Sequence, residues 1–273
     1  MITGTVSTIS IVMMGVAAIC SIAIPLLILL YLKKKGADVP PFLIGCLVML
    51  VFALILESIV HNIFLPTPVG KTVQNNILLF AIYGGLMAGL FEETGRLVAF
   101  KTVMKQFRDK DINALMYGAG HGGFEAMAIL GITMISNIVM SIMINSGTIG
   151  TVTSALPAES VDVFIEQIQP LTTIAPAAFL LGIVERILAI TIHMALSVLV
   201  WFGVKNNKLR MYVLSMLIHA VFDAVTVLIA KSGIAGAEYI TEVVIAIMVI
   251  GIVFLARKVW IKETKRTVPS VIR

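Results

Sequence analysis

The sequence predicts an all-α, polytopic integral membrane bundle of about seven transmembrane helices, with the amino terminus outside and the carboxyl tail inside. Three observations carry this. Hydrophobic residues make up 59% of the chain and charged residues only 13%, where a soluble domain carries about a quarter charged. Seven apolar stretches each approach or exceed the ~20 residues that a helical span needs. Lys and Arg gather in alternate connections between those stretches, which sets orientation.

The first stretch, 7–32, has no basic segment before it and no small-residue cleavage pattern, so it reads as a retained helix rather than a signal peptide. Lys33, Lys34 and Lys35 follow it. The second, 41–63, leads into a connection holding only Lys71. The third, 76–100, is followed by Lys101, Lys105, Arg108 and Lys110. The fourth, 114–145, opens onto a long acidic loop, 146–171, carrying Glu159, Asp162 and Glu166. The fifth, 172–204, precedes Lys205, Lys208 and Arg210; the sixth, 211–231, ends on Lys231. The seventh, 240–259, runs into a tail with Arg257, Lys258, Lys262, Lys265, Arg266 and Arg273. Sixteen of the 20 basic residues therefore fall on one side, and Arg96 and Arg186 lie inside spans. The stretches are too long and continuous for the alternating ten-residue strands of a β-barrel. With no repeat, soluble segment or low-complexity tract, residues 1–273 read as a single transmembrane domain.

The net charge of +5 has its explanation in that asymmetry. No basic patch interleaved with aromatics points to nucleic acid, and the partner that composition implies is the lipid bilayer. Cys20 and Cys46 sit in apolar runs without paired spacing, as small core hydrophobes.

Against this background Glu92, Glu93, His121, His193 and His219 stand out, because an ionisable side chain at the bilayer centre costs at least ~2.5–3.5 kcal/mol and is usually there for use. Converted at 1.5 Å per residue, all five lie roughly 10–16 Å in from the basic side, on four antiparallel helices. His121 and Glu125 are four residues apart, as are His219 and Asp223, so each pair shares a helix face. Arg96 lies within reach of both Glu92 and Glu93. Arg186 precedes His193 by two turns on one face, with Glu185 beside it. Glycines crowd the same layer: 84, 85 and 89 before the carboxylates, and 118, 120, 122 and 123 around His121. They suit close helix packing, and equally the approach of a substrate backbone or an unwound start of the fourth helix.

Three histidines with carboxylates can hold a divalent metal, zinc above all, leaving a fourth position for water. Alternatively a glutamate activates water directly while imidazoles stabilise the oxyanion. Glu92 and Glu93 are the candidate bases, with Glu93 preferred; His121, His193 and His219 are the candidate metal ligands. A single intramembrane histidine is often only an interhelical hydrogen-bonding group, and Glu93–Arg96 suits a structural ion pair. Glu57 and His61 are placed away from this layer, as interfacial or structural residues.

The pattern resembles the YhfC family of intramembrane metalloproteases, related to PrsW and the type II CAAX proteases. The likeness rests on EETGR at Glu92–Arg96, YGAGH at Tyr117–His121 running into GGFEA with Glu125 and Ala126, and HAVFD at His219–Asp223. It implies peptide-bond hydrolysis of a membrane protein or peptide in the bacterial plasma membrane, with Glu92, Glu93, Arg96, Glu125 and Asp223 in catalytic roles. Arg96 follows the second glutamate by three residues where the CAAX-type pattern has four, and Tyr117 stands in place of Phe. These departures bear on a CAAX-like substrate more than on the hydrolase class. Two other readings compete: a proton-coupled transporter or binding component, and a non-catalytic scaffold. No inverted repeat or paired broken helices favour the transporter.

Overall fold

A computed structural model describes residues 2–267, so Arg273 and the Arg266 side chain of the basic tail lie outside the described residues. Seven helices are long and apolar enough to cross a membrane: α1 Thr8–Lys34, α2 Pro40–Phe64, α3 Ile77–Lys101, α4 Ile112–Asn145, α5 Ala178–Lys205, α6 Leu209–Ala230 and α7 Ala237–Thr267. No strand occurs among the described residues. The chain is an all-α, multi-pass membrane protein.

Most ends fall within three residues of the apolar boundaries, because caps and prolines sit there. Asn76 caps α3, its side chain accepting from the backbone N–H groups of Leu78 and Leu79. The fifth and seventh spans are the exceptions: 173–177 are not helical, α5 starting two residues after Pro176, and α7 continues past 259 to Thr267. The stretch 146–171, expected as a loop, contains a helix at Ala158–Ile168. Glu159, Asp162 and Glu166 are exposed on it, while Ile168 is buried. Periodicity gave no sign of two π-helical segments, Met49–Glu57 within α2 and Met127–Gly131 within α4.

The chain divides into two compact units. One comprises Met1–Ile24 and Glu125–Ile187. Its core joins Val6, Met14 and Ala17 to Leu130, Met134, Ile144 and Phe179, with Ile168 and Leu171 completing it. Asn145 fastens the chain start, accepting from Val6 N–H and donating to Val6 C=O, both at 2.8 Å.

The other comprises Pro25–Phe124 and Leu188–Arg273. Phe100 is edge-on to Tyr117 and Trp201, at centroid distances of 4.7 and 5.3 Å, and Leu196, Leu199 and Phe202 fill around them. Helix contacts here are backbone-close, and glycines permit them. A Cβ on Gly89 of α3 would lie 2.7 Å from the Met216 carbonyl oxygen of α6; one on Gly118 of α4 would lie 2.5 Å from Met194 Cα of α5. Gly84 meets nothing within 4 Å and does not share this role. At the end carrying the basic connections, Asp111 accepts from Trp201 Nε1 and Lys205, and Glu263 from Lys208 and Asn206. Asp38 accepts from Lys110 and Asn113, and these bonds hold its carboxyl below the usual carboxylate range.

Candidate functional site

Close packing of α3 with α6, and of α4 with α5, brings the polar residues of four helices to one place inside the second unit. Glu93, like Arg96 and His121, has no exposure. Arg96 Nη1 and His219 Nδ1 meet its Oε1, the latter at 2.9 Å, and Ser215 donates to its Oε2 at 2.6 Å. Both oxygens are thereby occupied, and the buried carboxylate and guanidinium balance each other's charge. Arg96 also donates from Nη2 to His193 Nδ1 at 3.1 Å. Its Nε, and the hydroxyl of Tyr117, are buried without a hydrogen-bond partner among the described residues.

Glu92 looks the other way, into the imidazoles. Its Oε2 lies 2.9 Å from His121 Nε2 and 3.9 Å from both His193 Nδ1 and His219 Nε2. The rings neighbour one another, His121 tilted against His193 at 4.8 Å and His193 edge-on to His219 at 5.3 Å between centroids. Glu93 meets the Nδ1 of His219, and the Nε2 of that ring faces Glu92 and Asp223, whose Oδ2 is 3.4 Å away. One donor atom each from Glu92, His193 and His219 fall within 4.8 Å of one another, a group that could hold a metal ion. The cluster is buried, its imidazoles almost wholly so.

The structure thus assembles Glu92, Glu93, Arg96, His121, His193, His219 and Asp223. The three-donor group contains Glu92 beside two histidines, and His121 stands next to it bonded to that same glutamate. Glu125 accepts from Arg186 at 2.6 Å, and Arg186 also bonds Glu185. Arg186 therefore serves two carboxylates. Ser215 escaped sequence reasoning, although it lies four residues before His219 on the same face of α6. Glu57, expected as an interfacial or structural residue, is buried, and its Oε1 lies 3.0 Å from His61 Nε2.

The family described as YhfC intramembrane metalloprotease matches residues 20–260. The "Uncharacterized membrane protein YhfC" of Bacillus subtilis (strain 168) is 34% identical over 264 residues, covering 96% of this chain and 98% of that protein. No solved structure matches. A family match over nearly the whole chain, with a full-length relative at this identity, establishes that the chain belongs to the YhfC family.

Proposed function

We propose that this protein hydrolyses peptide bonds of membrane-embedded or membrane-adjacent polypeptides at the Glu92 cluster, inside the half of the bilayer next to the basic connections. The observation carrying this is one carboxylate faced by three imidazoles in a buried cluster on four helices. The family description supports the reaction class. The skew of basic residues supports the amino terminus outside and the tail inside.

The donors suit zinc. Glu92 supplies an anionic oxygen, and His193 and His219 supply imidazole nitrogens turned toward it, a set that leaves a fourth position for water. When bound, such a cation supplies Lewis acidity and brings the pKa of its water to about 7. The protein's own residues do the rest. Glu93 fixes the tautomer of His219, Ser215 and Arg96 hold Glu93, and His121 holds Glu92. Asp223, with a third of its side chain exposed, borders His219 on the open side.

A metal-free route has one observation in its favour. Arg96 Nη2 engages His193 Nδ1, the nitrogen a cation would need. Glu92 then takes the proton of an attacking water itself, and His193 and His219 face the developing oxyanion. Both routes pass through Glu92, and the saturation of Glu93 is what favours Glu92 over the residue preferred on sequence spacing.

The deciding experiment measures metal content of protein purified without chelators, together with cleavage of fluorogenic casein. Stoichiometric zinc, lost in His219→Ala, supports the first route; cleavage without metal supports the second. Retained cleavage in Glu92→Gln overturns both. Proton-coupled flux without cleavage would identify a transporter, and a partner co-purifying at fixed ratio a scaffold.

A further inference from the structure

A groove of about 400 Å³ lies on the face of α5 turned away from the proposed site, walled by α4, α5 and α7 within the second unit. Thr191, Met194 and Val198 line it from α5 at positions i, i+3 and i+7, which is one helix face. His193 lies two residues from Thr191, about 200° around the helix, so groove and imidazoles occupy opposite faces of α5. On α7, Val253, Arg257 and Trp260 line it at i, i+4 and i+7, and Leu115 of α4 completes the wall. A mostly apolar groove with a few placed polar groups is the usual form of a small-ligand site.

The groove changes polarity along its length. Trp260 meets Phe202 edge-on at 5.6 Å, and Glu263 accepts from Asn206 and Lys208, which sets the register of α7 on α5. Both contacts lie at the end carrying the basic connections, so Arg257 and Trp260 mark that end of the groove. Thr191, eleven residues before Phe202, lies roughly 16 Å deeper, about half the ~30 Å hydrocarbon thickness of a bilayer. The apolar stretch of α7 gives way at Arg257 and Lys258, the level at which Trp and basic residues meet lipid headgroups. At this end Lys110, Lys205 and Lys208 are bonded to Asp38, Asp111 and Glu263. Arg257 is exposed and enters no ion pair among the described residues. A cation without a counter-ion thus stands at the mouth of an apolar groove one leaflet deep.

We propose that this groove binds one anionic phospholipid, with an acyl chain between α5 and α7 and the phosphate on Arg257. The guanidinium fork takes two phosphate oxygens at once, and Trp260, its ring set against Phe202, flanks the headgroup. A headgroup without an amine is preferred, because a zwitterionic one brings its own cation to the phosphate and leaves Arg257 less to neutralise. The change from apolar to cationic within one leaflet depth matches a lipid. A membrane-crossing polypeptide stays apolar past that level and leaves the guanidinium without a partner. The chain would also pack behind the contact that brings α4 to α5, since Met194, which lines the groove, is the residue Gly118 approaches. Bound lipid therefore steadies the helix pair carrying His121 and His193, and raises stability by mass action. Binding requires no chemistry at the Glu92 cluster.

The test is native mass spectrometry of the full chain in detergent, after equilibration with equal amounts of phosphatidylglycerol, phosphatidylethanolamine and phosphatidylcholine of one acyl composition. Wild type should retain a single phosphatidylglycerol in preference to the other two. Arg257→Gln should lower that retention about fivefold, the contribution of one basic side chain at an anionic lipid surface. Val253→Trp fills the groove from an exposed position with Arg257 intact, and should lower retention as far. Arg257→Lys keeps the charge without the fork and should fall between. Lys258→Gln, off the groove face, should match wild type. Unfolding midpoints measured without lipid certify that each variant folds. Equal retention of the three lipids overturns the site, as does retention undiminished in either Arg257→Gln or Val253→Trp, or an equal loss in Lys258→Gln. Displacement by millimolar inorganic phosphate would reveal a simple anion site, and a bound polypeptide lost in Val253→Trp a protein-docking groove; either result refutes the lipid assignment.

Discussion

Adjacent residues on a helix point about 100° apart, and that rotation gives Glu92 and Glu93 different neighbours. Glu93 turns toward Arg96, Ser215 and His219; Glu92 turns toward the imidazoles. Replacing them should separate structure from chemistry. Glu93→Gln leaves the fully buried Arg96 without its counter-ion, and breaking such a pair costs about 3–5 kcal/mol. We expect a marked fall in the thermal unfolding midpoint in detergent. Glu92→Gln removes a charge without that loss and should unfold close to wild type while failing to bind metal and to cleave. Equal destabilisation by the two changes would refute this division of roles. At this scale the sequence was informative about residue identity: helical spacing and common depth singled out the five ionisable groups. It could not say which glutamate faced the histidines, because the answer depends on the rotation of α3 against α4 and α6. Ser215 went unrecognised for the same reason, acquiring its meaning from a neighbouring helix.

Between helices, backbone approach decides whether those side chains meet at all. Gly118 of α4 lies where any Cβ would strike Met194 Cα, a backbone atom that cannot turn aside. Gly118→Val should therefore push α4 from α5, cost at least the ~1–3 kcal/mol typical of overpacking, and lower bound metal along with stability. Gly84→Ala, where nothing lies within 4 Å, serves as the control and should stay within ~1 kcal/mol of wild type. A Gly118→Val protein with unchanged unfolding and metal content would show that α4 and α5 have room to spare. The glycine cluster admitted three readings from sequence, and the close-packed one describes the glycines at 89 and 118. Span limits were legible because apolar length is imposed by the bilayer. The helix at Ala158–Ile168 was not, being short and flanked by Pro157 and Pro170, and neither were the π segments, whose extra residue per turn leaves a uniformly apolar stretch unchanged.

For the whole molecule, orientation links the site to the compartment that supplies water and substrate. Exposed Glu159 lies in the acidic connection after α4, and exposed Asp109 in the basic connection after α3. If Lys and Arg set the orientation, these two positions lie on opposite sides, with Glu159 outside. Single cysteines introduced at each, in a background where Cys20 and Cys46 are replaced, give a direct measurement with an impermeant maleimide on intact cells. Glu159→Cys should be modified at once, and Asp109→Cys only after the cells are opened. Labelling in the reverse order would move the Glu92 cluster to the outer half of the bilayer. The Phe64 end of α2 would then face the cytoplasm. Equal labelling of both in intact cells would remove the charge argument for orientation altogether, leaving the geometry of the cluster as it stands. The basic connections also have structural work, since Lys110, Lys205 and Lys208 are bonded to Asp38, Asp111 and Glu263. Neutralising the remainder, Lys33, Lys34 and Lys35 first, should weaken orientation without loosening those clasps.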